Sequence, residues 1–164
     1  MATAEHPLSN YDPTSVPSGA GRRFGLVVSE WNREITEALH QGARRTLMEH
    51  GAAEADLLEV WVPGSFELAV GAQILIEANA LHGVICLGSI VRGETPHFDY
   101  VCQATAKGIM DVGLKHGVPV IFGVLTDDNM DQARARSGGR YGNKGVDCAV
   151  AALKMAELRN RSKA

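Results

Sequence analysis

Apolar residues follow two patterns along the chain: short continuous runs, and longer stretches in which they recur every three or four positions. The continuous runs predict strands at 24–28, 58–62, 83–91 and 118–125. The longer stretches predict helices at 32–50, 66–80, 97–116, 128–137 and 146–159, several of them followed by a glycine that suits a helix end. Strands and helices therefore alternate along most of the chain.

The predicted strands are apolar at almost every position rather than at every second one, so both of their faces should be buried. Helices that lie between such strands cover a parallel sheet from both sides. We therefore predict an α/β fold, a three-layer α/β/α sandwich of flavodoxin-like type around a four-stranded parallel sheet. Ligands bind beyond the carboxyl ends of such strands, which directs attention to the loops at 29–32, 63–67, 91–97 and 126–128.

The N-terminal segment differs from the rest of the chain. Residues 1–22 hold Pro7, Pro13 and Pro17 among Ser, Thr, Asn and Gly, a composition that cannot bury a core of its own. We predict that this segment is an extended or disordered arm and that 23–164 form one domain. An extended arm of this kind is expected to add to the sheet edge of a neighbouring molecule.

Composition and charge exclude several classes of function. The 164 residues are 45% apolar and 21% charged with a net charge of −3, which gives no reason to expect nucleic acid or a membrane surface as a partner. No apolar stretch reaches the roughly 18 residues of a membrane helix, and the N-terminus lacks the apolar core of a secretory signal. The three cysteines include no CxxC pair, so we expect free thiols and a cytoplasmic location.

The loops after the first two strands carry residues that suit a flat, hydroxyl-rich ligand. Trp31 follows the first strand, and its ring either packs over the sheet edge or stacks on a ligand. Ser65, Phe66 and Glu67 follow the second strand, and Ser65 is placed to cap the next helix. This second loop is therefore either a helix start alone or also a set of polar groups for a polyhydroxyl ligand.

The loop after the third strand, RGETPHFDY at 92–100, holds the best candidate for catalysis. We predict Thr95 as the helix N-cap, with Pro96 and His97 in the first turn. Free backbone N–H groups at a helix start bind anions, and the same positive end of the helix favours a neutral imidazole that accepts a proton. A structural role for His97 is the alternative.

A basic segment follows the fourth strand. Arg134, Arg136, Arg140 and Lys144 form either a solvated face or a site where one arginine binds a phosphate. The chain contains no GxxxxGK[ST] loop, and its six histidines lack the spacing of metal ligands. The residues alone therefore indicate a small α/β enzyme or binding protein for a phosphorylated small molecule and a flat, hydroxylated one.

Four segments resemble the 6,7-dimethyl-8-ribityllumazine synthase family: VPGSFELAVGAQ, LGSIVRGETPHFDYVC, GVPVIFGVLT and GNKGVDCAVAALKM. The resemblance runs from about residue 24 to residue 158. It implies an enzyme that condenses 5-amino-6-(D-ribitylamino)uracil with 3,4-dihydroxy-2-butanone 4-phosphate in the penultimate step of riboflavin biosynthesis. The steps would be a Schiff base, loss of phosphate, ring closure and loss of water, with neither cofactor nor metal.

The resemblance also implies roles for individual residues. His97 would transfer protons. The substrate phosphate would be bound by the backbone of the loop that holds Glu94 and Thr95, and by the side chain of Arg136. The uracil and ribityl groups would be bound by Trp31, Ser65, Phe66, Glu67, Ser89, Ile90 and Val91, with Phe122 supplied by a neighbouring subunit. Lys144 would lie near the site as an accessory residue.

The resemblance also implies an oligomeric assembly, and the sequence differs from the common family pattern at Trp31. Family members form pentamers, and in many of them twelve pentamers form a 60-mer shell; the short link SGGRYGNKG at 137–145 resembles the shell-forming members. Riboflavin synthase is a candidate partner. Trp31 stands where the family often has phenylalanine, so its larger ring is expected to retain product or riboflavin more tightly. The alternative function is a non-catalytic flavin- or lumazine-binding shell protein of the same fold.

Overall fold

The computed structural model describes residues 9–162. The strands of its main sheet are β1 (Phe24–Ser29), β2 (Leu57–Val62), β3 (Gly83–Val91) and β4 (Val120–Asp127). The helices are α1 (Arg33–Glu49), α2 (Leu68–Ala78), α3 (His97–His116), α4 (Met130–Arg136) and α5 (Lys144–Arg161). All four strands are parallel, in the order β2-β1-β3-β4. The predicted α/β fold with a four-stranded parallel sheet is confirmed.

Helices cover both faces of the sheet, which explains why the strands are apolar throughout. On one face, α1 and α5 pack against the sheet in a core that includes Leu39 and Leu26. On the other face, α2 and α3 pack in a second core that includes Leu68 and Val27. Because Leu26 and Val27 are successive residues of β1, their side chains point to opposite faces.

The two central strands determine where a ligand can bind. Every residue of β1 and nearly every residue of β3 is buried, whereas the edge strands β2 and β4 are partly exposed. From β1 the chain continues to β2 on one side and then crosses back to β3 on the other side. This topological switch point opens a crevice at the carboxyl ends of β1 and β3.

The fourth strand begins and ends two residues later than the sequence indicated, at Val120 and Asp127. Val118 does not join the sheet there because its N–H donates to the carbonyl of Gly113 at the end of α3 (3.3 Å), and Pro119 has no N–H to donate. At the other end, Asp127 pairs with the last residue of β3. The strand therefore carries Asp127 to the edge of the sheet where ligands bind.

The link between α4 and α5 forms a short antiparallel hairpin that the sequence pattern did not reveal. It consists of β5 (Ser137–Gly139) and β6 (Gly142–Asn143). The side chain of Asn143 then caps α5 by accepting the N–H of Gly145 (2.7 Å), and it donates to the carbonyl of Ala38 in α1 (2.9 Å). The motif GNKG at 142–145 therefore joins the start of α5 to α1.

Residues 9–22 lie against the helices of the same chain. The hydroxyl of Tyr11 is 3.2 Å from Nε2 of His50, the residue that follows α1, and Val16 packs against the core on that face of the sheet. Residues 1–8 of the predicted arm lie outside the described residues. The division of the chain at residue 22 and the addition of the arm to a neighbouring sheet stay predictions.

Candidate functional site

A pocket of about 340 Å³ lies in the crevice at the switch point, between the carboxyl ends of β1 and β3 and the start of α3. Six residues expected at a uracil and ribityl site line it, namely Trp31, Ser65, Phe66, Ser89, Ile90 and Val91. Thr95 and His97 line the same pocket. Three segments that are distant in sequence are therefore brought to one place: the loop after β1, the turn after β2, and the end of β3 with the loop that follows it.

The loop between β1 and α1 presents a tryptophan to this pocket. The side chain of Trp31 is 71% exposed, although it borders an apolar cavity. The next residue, Asn32, has φ 56° and ψ 48°, a left-handed conformation that asparagine tolerates better than most residues. Its Nδ2 donates to the carbonyl of Ser89 on β3 (3.0 Å). This bond fixes the loop that holds the indole to the central strand of the site.

Two buried hydroxyl groups border the pocket without a protein partner. Ser65 and Ser89 are 6% and 1% exposed, and within 9–162 neither Oγ makes a hydrogen bond. A buried polar group without a partner is costly, and both residues line the pocket. The predicted capping role of Ser65 is wrong: a 3₁₀ turn, Ser65–Glu67, comes first, and α2 begins at Leu68 with Glu67 as its N-cap.

Glu67 does not line the pocket itself, but its carboxylate lies beside it. Gly64 lines the pocket and lies close to this carboxylate: a Cβ built on Gly64 would be 3.0 Å from Oε2 of Glu67. The backbone of this turn is also held from α3, where Thr105 Oγ1 donates to the carbonyl of Ser65 (3.2 Å). The turn after β2 therefore places a carboxylate at the rim of the pocket.

The loop before α3 leaves several backbone donors free. Within the described part of the chain, the amides of Gly93, Glu94 and Thr95 donate to no protein acceptor. Such consecutive free N–H groups form an anion-binding site. The predicted N-cap is wrong: Pro96 takes that position with helical φ and ψ, and no side chain caps the helix. Thr95 lines the pocket instead.

His97 is the first residue of α3 and is exposed. Phe98 and Val101 also line the pocket, although the sequence had not indicated them as site residues. Val101 stands four residues after His97, on the same face of the helix, so helical spacing from the histidine is the signal that would have identified it. Its apolar side chain and the Phe98 ring enclose the pocket on the side of α3.

Arg92 joins this loop to the end of β4. Its N–H donates to the carbonyl of Asp127 (2.9 Å), and its Nε donates to Oδ1 of Asp128 (3.0 Å). Its guanidinium also lies 4.2 Å from the centre of the Phe98 ring. The loop with the free amides is therefore connected to both α3 and β4.

The two arginines of α4 differ in their surroundings. Arg134 is exposed and makes two hydrogen bonds to Glu34 (3.0 and 3.2 Å) and one to Asp131 (3.3 Å). Arg136 is three-quarters buried, and its Nη1 donates to Oδ1 of Asp127 (3.1 Å). Burial raises the pKa of the Asp127 carboxyl, and Arg136 opposes this increase. Arg136 does not line the pocket. It is bound by Asp127, which pairs in the sheet with Val91, a residue that does line the pocket.

Three other residues expected at the site lie outside the pocket. Glu94 is exposed in the loop before α3. Lys144 pairs with Asp147 at the start of α5. Phe122 is 36% exposed on β4, five residues before the strand end, which is about 16 Å away along the strand. Phe122 therefore cannot reach the pocket of its own chain.

Residues 9–162 hold neither a metal-binding cluster nor a membrane-spanning helix. In this part of the chain, no group of three or more His, Cys, Asp or Glu side chains is placed to hold a metal ion. No helix of the same part is both long and apolar enough to cross a membrane. The pocket between β1 and β3 thus remains the place where polar and aromatic groups converge.

Known proteins are similar to this sequence over nearly its whole length. Residues 21–160 match the family model described as 6,7-dimethyl-8-ribityllumazine synthase. The chain is 52% identical over 158 residues to the 6,7-dimethyl-8-ribityllumazine synthase of Parabacteroides distasonis, covering 96% of this chain and 99% of the relative. The protein of the same name from Porphyromonas gingivalis is 51% identical over 158 residues, covering 96% and 98%. That from Phocaeicola vulgatus is 49% identical over 161 residues, covering 98% and 96%.

Proposed function

The chain belongs to the 6,7-dimethyl-8-ribityllumazine synthase family, and from this premise we propose that it condenses 5-amino-6-(D-ribitylamino)uracil with 3,4-dihydroxy-2-butanone 4-phosphate. The product is 6,7-dimethyl-8-ribityllumazine, and phosphate and water are released, which is the penultimate step of riboflavin biosynthesis. One observation carries the proposal: an exposed aromatic ring, unpartnered buried hydroxyls, free loop amides and a histidine share one pocket.

The uracil and ribityl groups are proposed to bind at the ends of β1 and β3. The Trp31 ring is exposed over the pocket and suits stacking on the flat pyrimidine. The unpartnered hydroxyls of Ser65 and Ser89 suit the oxygen atoms of the ligand. Phe66, Ile90 and Val91 supply the walls, and the carboxylate of Glu67 at the rim accepts hydrogen bonds from ribityl hydroxyls.

The phosphate is proposed to bind to the loop before α3. The free amides of Gly93, Glu94 and Thr95 and the positive end of the helix favour a dianion. The Glu94 side chain is exposed and not part of the pocket lining, so its charge does not oppose binding there. Arg136 completes the site because Arg134 is already engaged by two carboxylates, whereas Arg136 makes one bond to Asp127.

His97 is proposed to move protons during the condensation. The amine of one substrate attacks the ketone of the other, and the ketone oxygen leaves as water with the two amine protons as the Schiff base forms. A proton is next removed from carbon while the C–O bond to phosphate breaks, and the resulting enol becomes a carbonyl. The second nitrogen of the amine substrate attacks this carbonyl, and ring closure expels a second water. An imidazole at the pocket wall is within reach of these steps as acceptor and donor. The pocket itself contributes by holding both reactants together.

The site is proposed to be completed by a second subunit. Phe122 lies too far along β4 to serve its own pocket, yet it is exposed. A ring of subunits that places β4 of one copy beside the pocket of the next would bring Phe122 there, with Lys144 as an accessory cation. We propose a pentamer, assembled further into a 60-mer, with riboflavin synthase as a candidate partner.

The reaction is tested by mixing the protein with both substrates and following lumazine absorbance against a buffer control. Acceleration over buffer, reduced in a His97→Ala variant, is the expected result. Binding of lumazine or riboflavin without acceleration would instead identify a non-catalytic shell protein. Phosphate release, measured in the same samples, should match lumazine formation mole for mole.

A further inference from the structure

We propose that Asp127 is the positioning residue for Arg136, holding its guanidinium at the end of β4 in the orientation that meets the substrate phosphate. The inference rests on the proposed function, in which Arg136 binds that phosphate. It assigns a role to a carboxylate that touches neither the pocket nor the substrate. Its basis is the burial of Asp127, the geometry of the pair and its place in the sheet.

Burial favours the partnership. Asp127 is 3% exposed, and a buried carboxylate is costly unless it is paired. Arg136 is the cation within reach, with Nη1 3.1 Å from Oδ1. Breaking such a pair leaves a buried charge uncompensated. Orientations of Arg136 that break the bond to Asp127 are therefore costly.

The bond uses only one part of the guanidinium. Nη1 is engaged by Asp127, and Nε is buried. Within the described part of the chain, Nη2 has no protein partner, and unlike Nε it is not buried. The guanidinium is planar and rigid, so fixing Nη1 fixes the direction of Nη2 as well. An anion that binds Nη2 finds the group already ordered.

The neighbouring arginine on the same helix is held from the solvated surface instead of from the interior. Arg134 pairs with Glu34 and Asp131, whose side chains are 62% and 93% exposed. Exposed pairs of this kind hold a side chain weakly. Two arginines separated by one residue therefore have different roles, one on the solvated surface and one anchored from inside.

The place of Asp127 in the sheet links the pair to the phosphate loop. Asp127 pairs with Val91, which lines the pocket. Its carbonyl accepts the N–H of Arg92, directly before the free amides that begin at Gly93. The residue that orients Arg136 is thus hydrogen-bonded to the strand from which the anion-binding loop starts.

A carboxylate near a phosphate also repels it, and the two effects have opposite signs. The carboxylate is almost fully buried, whereas the guanidinium is 27% exposed. An anion arriving from solvent therefore meets the cation first, and the carboxylate behind it is paired with that cation through Oδ1. We therefore expect the ordering of Arg136 to outweigh the repulsion.

The experiment compares steady-state kinetics of the whole enzyme and of Asp127→Ala, Asp127→Asn and Arg136→Ala, with each substrate varied in turn. We expect Asp127→Ala to raise KM for the phosphate substrate by about 10-fold, since a misplaced group costs up to about 10²-fold. The inhibition constant of inorganic phosphate should rise by the same factor. KM for the amine and kcat should stay within about 2-fold, as expected for a loss of binding alone. Asp127→Asn keeps an oxygen that can accept from Nη1, so its KM for the phosphate substrate should lie between those of the wild type and Asp127→Ala.

Controls separate a positioning role from a structural one. Asp131→Asn removes a carboxylate that pairs with Arg134 on the same helix, and it should leave every constant unchanged. In an Arg136→Ala background, Asp127→Ala should have no further effect on KM. Circular dichroism verifies folding, and Asp127→Asn serves if the alanine variant does not fold.

The outcomes distinguish this inference from the proposed function. If Arg136→Ala leaves KM for the phosphate substrate unchanged, the phosphate role of Arg136 fails. If Arg136→Ala raises that KM while both Asp127 variants leave it unchanged or lower it, the positioning role alone is overturned. Equal losses in kcat and in both KM values would also overturn it, because they would mean a general structural defect.

Discussion

At the scale of single residues, His97 tests how catalysis is divided between chemistry and binding. Its imidazole lines the pocket from the first turn of α3, beside the free amides of the loop. General acid–base catalysis contributes about 10²–10⁴-fold, while holding two reactants together contributes separately. We therefore expect His97→Ala to lower kcat by about 10²-fold or more and still to exceed the buffer rate. Stopped-flow or steady-state absorbance measures this, and complete loss in a folded variant that binds both substrates would contradict it.

Trp31 leads to a prediction about flavin binding. Its ring is 71% exposed at the pocket, so a bound isoalloxazine would cover much of it. We expect Trp31→Phe to weaken riboflavin binding by about 5-fold, because the smaller ring loses stacking area worth about 1 kcal/mol. Quenching of riboflavin fluorescence in a titration measures the Kd.

The second tryptophan provides a matched control for this titration. Trp61 lies on β2, where it contacts His40 and Arg33 rather than the pocket. Trp61→Phe should therefore leave the Kd for riboflavin unchanged. Equal affinities for wild type, Trp31→Phe and Trp61→Phe would refute stacking on Trp31.

At the scale of elements, the contact between α1 and α5 depends on a glycine. A Cβ built on Gly145 would lie 1.9 Å from the carbonyl oxygen of Leu39, a backbone atom that cannot move aside. We expect Gly145→Ala to lower the free energy of unfolding by about 1–3 kcal/mol or more, since overpacking displaces whole elements. Urea denaturation measures this. Gly113→Ala in α3, with its nearest neighbour 3.3 Å away, should change it by less.

The starts of β1 and β3 are joined by a hydrogen bond that depends on pH. Nδ1 of His82 accepts the N–H of Arg23 (3.0 Å), so that nitrogen must be unprotonated. Burial lowers the pKa of His82, and the positive charges of Arg159 and Arg22 lower it further. The folded protein therefore binds this proton less readily than the unfolded chain does, whose histidine pKa is about 6.5.

The sign of the pH effect follows from this difference. Where the unfolded chain binds more protons, the free energy of unfolding decreases as pH falls, so the loss begins as pH drops through about 6.5 and ends below the folded pKa. Above that range His82 is neutral in both states and contributes no pH dependence. His82→Asn keeps an oxygen acceptor without a titrating group and should flatten the curve of urea midpoint against pH. Parallel curves for both proteins would refute the role of His82.

The sequence predicted the elements better than their ends. The bounds of β3 and α3 agree with the apolar pattern, because a long buried run or a long amphipathic helix has one reading. The caps did not agree: Thr95 and Ser65 have the chemistry of caps, but Pro96 is the N-cap of α3 and Ser65 lies in a 3₁₀ turn before α2. Local residue preference alone therefore did not determine how these helices begin.

The candidate site shows the same limit of sequence reasoning. Residues next to a strand end, such as Trp31 and Ser89, are brought into the pocket because topology alone determines where strand ends lie. The partner of Arg136 was not foreseen, because Asp127 joins β4 only when the strand shifts past Pro119. Phe122 lies too far along β4 to reach the pocket of its own chain, and the proposed role for it depends on a second molecule, whose position a single sequence does not give.

At the scale of the whole molecule, two apolar surfaces formed by different elements remain exposed. One follows the turn after β2 and continues along α2, with Phe66, Val70 and Ile74 each at least 60% exposed. The other is a groove of about 480 Å³ between α3, β4 and α5, bordered by Leu114 and Leu158 among others. Large exposed apolar surfaces indicate contact with another protein. Two different surfaces favour head-to-tail contacts, which close into rings.

Leu114 offers the sharpest test of this assembly. It is 75% exposed on α3 and borders the groove, so a charge there would be buried in a subunit contact at a cost of several kcal/mol while disturbing the isolated chain little. We expect Leu114→Glu to reduce the mass measured by light scattering from the proposed multiple of five subunits to smaller species. In the proposed assembly, activity should fall with it, because Phe122 of the neighbour would leave the pocket. Gln41→Glu adds the same charge on α1 and should preserve both mass and activity. A Leu114→Glu variant of wild-type mass would mean that the groove lies outside the contact, and a small but fully active variant would mean that each chain holds a complete site.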